Sequence, residues 1–105
     1  MTKYAAKVDA NQGEIVLALR RLGCTVMSIA SVGRGCPDLV VGVRGKNVLL
    51  EVKDGRRPPS ERKLTEAERE WIDAWRGQVN VVESVDDAIE VVFREVENDR
   101  GSETP

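Results

Sequence analysis

The chain predicts an α/β domain, a mixed four-stranded sheet flanked by helices in the order α-β-β-β-α-β-α. Three observations predict it. Apolar residues recur at helical spacing in three segments that are otherwise polar. Four short runs rich in β-branched residues lie between those segments. The first three runs are separated only by loops, as in an antiparallel meander. The fourth is reached through a helix, the connection that joins parallel strands by a right-handed crossover.

Each element has its own local signals. "DANQGEIVLALRRLG", residues 9–23, reads as the first helix. Asp9 suits its N-cap, Ile15, Leu19 and Leu22 share a face with Val16 and Ala18 nearby, and Gly23 suits its stop. "CTVMSIAS" is a short first strand, and "VGRGCP" a loop expected to be mobile. "DLVVGVR" and "NVLLEVK" are strands two and three. "DGRRPPSERK" carries two prolines, which remove backbone donors and exclude regular structure. "LTEAEREWIDAWRG" is the second helix, with Thr65 and Glu68 at capping-box spacing and Gly77 at its end. Leu64, Ala67, Trp71, Ala74 and Trp75 form its apolar stripe. Core packing is the ordinary role for the two tryptophans, and a dimer face is the alternative if one ring stays exposed. "QVNVVES" is strand four. "SVDDAIEVVFREVEND" is the third helix, capped by Ser84, with Asp86 and Asp87 at its positive end. Its inward face carries Val85, Ile89, Val92, Phe93 and Val96. Residues 1–98 form one expected domain, and 99–105 a flexible tail.

Composition narrows the function classes. The 105 residues are 41% hydrophobic and 32% charged, ordinary for a globular domain. Histidine is absent, which excludes Ser-His-Asp and Cys-His triads and every histidine metal site. Cys24 and Cys36 have neither metal-ligand spacing nor a disulfide framework, and both are expected as free thiols. No apolar run reaches the ~20 residues of a membrane span, and the polar opening residues do not read as a secretory leader. A reducing cytoplasm is the expected setting. The net charge of −2 argues against a polyanion binder, but its distribution does not. Residues 34–63 carry eight basic against four acidic side chains, and residues 83–105 two against eight. A basic centre is masked by an acidic C-terminal part, and binding responds to the local field.

The chemistry concentrates in "CPDLVVGVRGKNVLLEVKDG", residues 36–55. Glu51 and Lys53 are two apart, so they share a face of their strand, with Leu50 and Val52 on the other. "RGKN" suits a two-residue loop with Gly45 first, a type II′ turn that pairs Arg44 with Asn47. In that register Asp38 lies opposite Lys53 and diagonal to Glu51, roughly 7–8 Å between Cα atoms. All three charges then share one face. An arbitrary E-x-K is commonly a solvated pair. Here the flanking residues read as a central strand, where charges are costly unless paired or bound to metal. A lysine satisfies one carboxylate and leaves the second repelling it. A divalent cation shared by Asp38 and Glu51 removes that conflict.

At these residues the chain resembles a known family. "PD" at 37–38 and "EVK" at 51–53 resemble the PD-(D/E)XK nuclease signature. Together with "DANQGEIVLALRRLG", "PPSERKLT" and "WRGQVNVVESVDDAI", they are similar to the virus-type replication-repair nuclease (VRR-NUC) domain, in its stand-alone phage and prophage form. The resemblance covers residues 9–93. It implies a restriction-endonuclease-like αβββαβ core and a metal-dependent endonuclease. It implies that Asp38 and Glu51 hold Mg²⁺ or Mn²⁺, helped by the Val52 carbonyl, and that Lys53 orients or activates the attacking water. Glu14 would be a further acidic residue near the metal. Related domains often carry glutamine where this chain has Glu68, so Glu68 is either a site carboxylate or a capping-box residue. Asn11 and Gln12 are either helix-start residues or contacts to DNA or Glu14. Stand-alone members are expected as homodimers in a bacterial host.

Phosphodiester hydrolysis by a metal needs no histidine. Arg56, Arg57, Arg62 and Lys63 follow the charged strand and are candidates for phosphate contact, with Arg34 and Lys46 as outer ones. So small a chain has little room for sequence readout. Branched DNA is the expected substrate, four-way junctions first and flaps next, and a two-fold junction suits a dimer. The alternative is a nuclease-fold module that binds DNA or a protein partner without cutting, using its acidic C-terminal helix.

Overall fold

The computed structural model describes the backbone of residues 8–102 and the side chains of residues 8–97. Its elements are α1 (Gln12–Arg21), β1 (Thr25–Ser28), β2 (Leu39–Val43), β3 (Lys46–Val52), α2 (Glu66–Ala74), β4 (Asn80–Val82) and α3 (Val85–Ser102). The predicted order holds. The sheet runs β1-β2-β3-β4, with antiparallel pairs β1–β2 and β2–β3 and the parallel pair β3–β4.

Strand alternation divides the sheet into two faces. Leu39, Val41, Val48, Leu50, Val52 and Val82 point to one side and meet Ile15 and Leu19 of α1 and Ala88, Val91 and Val92 of α3. Each fully buried aliphatic side chain contributes about 1.5–3 kcal/mol relative to exposure, so this face is the main source of stability. The opposite face bears Met27, Val40 and Leu49 in one cross-strand row, with Val81 alongside. Met27 and Val81 are exposed there.

Several local expectations are revised. The β2–β3 turn is Arg44–Gly45, closing Val43 onto Lys46, rather than Gly45–Lys46. Both residues have positive φ, 53° and 78°, as in a type I′ turn, whose twist matches that of the flanking strands. Asn11, not Asp9, takes the N-cap position of α1, and its side chain is spent elsewhere. Leu22 is half exposed, because α1 ends at Arg21 and the chain turns away at Gly23, φ 92°. A 3₁₀ turn at Pro59–Glu61 gives the proline segment regular structure, since Pro58 and Pro59 hold the φ that such a turn accepts. The Thr65/Glu68 capping box forms as expected, but α2 contributes no buried residue, so its stripe is not core. Trp71 and Trp75 instead stack on each other with centroids 4.6 Å apart. Ser84 caps α3 through the Asp87 N–H at 3.0 Å. The helix continues through Ser102, past the expected start of the tail, while residues 103–105 lie outside the described residues.

Candidate active site

The charged residues of β2 and β3 gather where the two strands part. Asp38 precedes β2, and its N–H still donates to the Leu50 carbonyl at 3.1 Å. Its Oδ2 accepts the Val52 N–H at 2.7 Å. One aspartate thus grips β3 on both sides of Glu51. Placing the turn one residue earlier moves the register one residue along each strand from the expected pairing, so the ladder closes with Leu39 opposite Leu50. The expected face survives, because the parity of the pairing is unchanged. Asp38 now neighbours Glu51 instead of lying diagonal to it.

All three side chains are withdrawn from water, with Asp38 9%, Glu51 3% and Lys53 7% exposed. Lys53 Nζ lies 3.6 Å from Glu51 Oε2 and 2.7 Å from Glu68 Oε1. Glu68 arrives from the first turn of α2, and the same Oε1 accepts the Thr65 N–H at 2.8 Å. A protonated Glu51 lies within hydrogen-bonding reach of both Asp38 and Glu68. Glu51 therefore sits among two other carboxylates and one ammonium.

The protonation of the cluster follows from this imbalance. Burial first, and then the charges of Asp38 and Glu68, push the Glu51 carboxyl up to about 9, with Lys53 opposing. Burial also raises Asp38, and the Val52 N–H pulls it partly back. Burial works against the charge of Glu68, but the Lys53 hydrogen bond and the Thr65 N–H outweigh it and hold Glu68 below the usual carboxylate range. Burial likewise works against Lys53, and Glu68 outweighs it, so the ammonium stays charged. The Cys36 thiol is raised by burial and by the charges of Glu51 and Asp38, which leaves it unreactive.

A pocket of about 300 Å³ opens beside this cluster, lined by Asp38, Glu68, Thr65, Cys36, Arg34 and the glycines of the 33–35 loop. That loop is pinned rather than loose. Gly35, φ 83°, lies so close to α2 that a Cβ would overlap the Ala67 carbonyl and come within 2.8 Å of Glu68 N.

Other predicted residues are placed elsewhere. Glu14 is over half exposed on α1 and pairs with Arg56 at 3.5 Å. It lines a separate pocket with Asn11, Asp54 and Glu83. Gln12 is buried, and its Oε1 has no hydrogen-bond partner among the described residues. Arg56 is held by both oxygens of Asp54 at 3.0 Å, Arg57 by Glu61, and Arg62 by Glu83 at 3.1 Å. The basic segment is thus threaded with its own carboxylates, a pairing its spacing does not announce. Lys63 and Arg34 are exposed. Lys46 opens β3, at the far end of the strand from Lys53.

Three contributions were missed. Asp9 lies close enough for its charge to act on Asp38 and Lys53. Asn11 Nδ2 donates to the carbonyls of Lys53 at 3.0 Å and Glu83 at 3.2 Å, tying α1 to the ends of β3 and β4. Asp54 is buried by its salt bridge. "DANQ" reads as a helix start, and nothing local points its side chains at a distant strand.

Among the described residues, no cluster of three or more His, Cys, Asp or Glu side chains is arranged as a metal cage. The donor chemistry of Asp38 and Glu51 still fits Mg²⁺ or Mn²⁺. These ions take hard oxygens, and Mg²⁺ is commonly held by one or two carboxylates, with water and substrate phosphate completing the shell.

A solved structure described as a VRR_NUC domain is similar to this chain, with a TM-score of 0.58 and 24% identity. The match covers 81% of this chain and 97% of that one. The chain has the VRR_NUC fold. No family model and no curated protein matches the chain. Within the VRR_NUC fold, the Asp38–Glu51–Lys53 cluster lies at the open end of the β2–β3 pair. No helix among the described residues is long and apolar enough to cross a membrane.

Proposed function

We propose that this chain is a metal-dependent, structure-specific DNA endonuclease of the VRR-NUC type. The observation that carries the reading is the buried meeting of Asp38, Glu51 and Lys53, where burial and the neighbouring carboxylates push the Glu51 carboxyl up to about 9. Asp38 and Glu51 would hold Mg²⁺ or Mn²⁺, with the Val52 carbonyl as a further oxygen. When bound, the ion supplies a water of lowered pKa and neutralises charge on the phosphate. Lys53 orients that water and steadies the developing phosphate charge. Asp38 also fixes the strand through the Val52 N–H, which keeps Glu51 and Lys53 in place. Glu14 would be a further acidic residue near the metal once released from its exposed pair with Arg56. Arg34 and Lys63, both exposed, are the candidates for phosphate contact, and substrate would have to draw Arg56, Arg57 and Arg62 from their carboxylates.

Branched DNA, four-way junctions first, is the proposed substrate, and a homodimer the proposed assembly. The apolar row Met27–Val40–Leu49 and the half-exposed Trp75 support such an assembly. One gel assay tests the reading. Labelled junction, flap and linear duplex are incubated with the protein in EDTA, Mg²⁺ or Mn²⁺, beside Glu51→Ala. Metal-dependent cutting of branched DNA that disappears in the variant is expected. Retardation without cutting, unchanged by Glu51→Ala, would replace this reading with a non-cleaving binding module.

A further inference from the structure

Lys53 is bound more closely by Glu68, 2.7 Å away, than by Glu51, 3.6 Å away on its own strand. We infer that Glu68 is a positioning residue, a carboxylate locked into the first turn of α2 that holds the Lys53 ammonium beside Glu51. The inference rests on the nuclease reading above, because it assigns Lys53 its working position.

Three features make Glu68 a fixed support rather than a passing salt bridge. Its Oε1 serves two donors at once, Lys53 Nζ at 2.7 Å and the Thr65 N–H at 2.8 Å. Thr65 Oγ1 in return accepts the Glu68 N–H at 3.1 Å, so the rotamer is set by how the helix begins. The helix start is itself held from outside by Gly35, which admits no side chain against Ala67 and Glu68. Gly35 lies three residues before Asp38. The loop that delivers Asp38 and the turn that delivers Glu68 are therefore packed backbone to backbone.

This arrangement answers a problem created by burial. A lysine has four rotatable bonds and three donors, and burying it leaves it needing an anion at a defined place. Glu51 cannot fill that role while it serves a metal. Glu68 can, because the helix start already dictates its position. It lines the pocket beside Asp38 but is no metal ligand in this scheme, and it acts through Lys53.

Glu68→Leu is the decisive variant, and Glu68→Gln its conservative rescue. Leucine removes the acceptor that holds Lys53 but leaves the Thr65 Oγ1 cap on the helix start, whereas glutamine keeps the capping box and an oxygen that accepts from Lys53. Two readouts are needed. In the metal-free protein, ¹⁵N NMR of lysine ammonium groups should show a slowly exchanging Lys53 signal, identified by its loss in Lys53→Met. Glu68→Leu should lose or broaden it and Glu68→Gln should retain it, while the melting temperature of each stays within several degrees of the unmodified protein. In cleavage of a four-way junction with Mg²⁺, kcat of Glu68→Leu should fall by about 10–100-fold with KM unchanged, the usual effect of losing the partner of a working group, and Glu68→Gln should restore it. An unchanged ammonium signal together with unchanged kcat would overturn the inference and leave Glu68 as a helix cap. If the unmodified protein cuts no DNA with any metal, the nuclease reading fails and the catalytic consequence with it, while the ammonium signal still decides whether Glu68 holds Lys53.

Discussion

Leu50 and Glu51 are chain neighbours, both buried, on opposite faces of β3. Leu50 meets a closed apolar layer built by α1 and α3. Glu51 meets two carboxylates and a lysine, under a helix that buries nothing of its own. The two faces bury their residues at opposite energetic sign. On the first, burial is the stabilising term. On the second, burial is a cost that hydrogen bonds and one ammonium offset only in part. The comparison teaches that low exposure alone separates nothing here, and that the partners do.

The largest expected effect comes from exchanging these neighbours' roles in turn. Glu51→Gln should lower junction cleavage by about 10²–10³-fold, the scale of losing one preorganised electrostatic contact, and should leave or raise the melting temperature. Leu50→Ala should do the reverse. It should cost about 2–5 kcal/mol of stability, read from urea unfolding, with cleavage per folded molecule nearly intact. If both variants lose stability equally, the two faces are energetically alike and the distinction fails.

A pH series sharpens the same contrast. Glu51 ordinarily ionises at 4.5 and is held up to about 9 in the fold, so the folded chain keeps a proton that the unfolded chain releases. Its contribution is fully present below 4.5 and is lost as pH rises through about 9. The melting temperature of the metal-free protein should therefore decline across that window, and the decline should flatten in Glu51→Gln. Mn²⁺ should oppose it, since metal binding selects the deprotonated carboxylate. Equal slopes in wild type and variant would place the proton elsewhere.

The smallest effect belongs to the turn that sets the register. Gly45→Ala forces a side chain onto φ 78° and should cost about 1–2 kcal/mol. If the register then shifts by one residue along each strand, cleavage should fall as well, because Asp38 would leave its place opposite Glu51. Loss of stability alone would mean the Asp38–Val52 hydrogen bond holds the register without the turn.

Much of the fold was legible because its signals are local. Helical spacing, β-branched runs, the Thr65/Glu68 box and the Ser84 cap each act within a few residues. The shared face of Asp38, Glu51 and Lys53 was legible for the same reason. Side chains alternate along a strand, and a register displaced by one residue on each strand preserves that parity. The turn itself was misread because "RGKN" offers two glycine-containing loops, and the type I′ form asks a non-glycine residue, Arg44, to take φ 53°.

The sequence by itself determined the order of elements, the covered face of the sheet and the side on which the three charges stand. Periodicity and strand parity are properties of adjacent residues and need no knowledge of the rest. Only the tertiary structure decided which charges meet. It brought Glu68 to Lys53, turned Glu14 toward Arg56, brought Asp9 within electrostatic reach of Asp38 and matched the arginines with carboxylates. Those pairings depend on where a helix lands against a strand distant in the chain, and packing of whole surfaces sets that position.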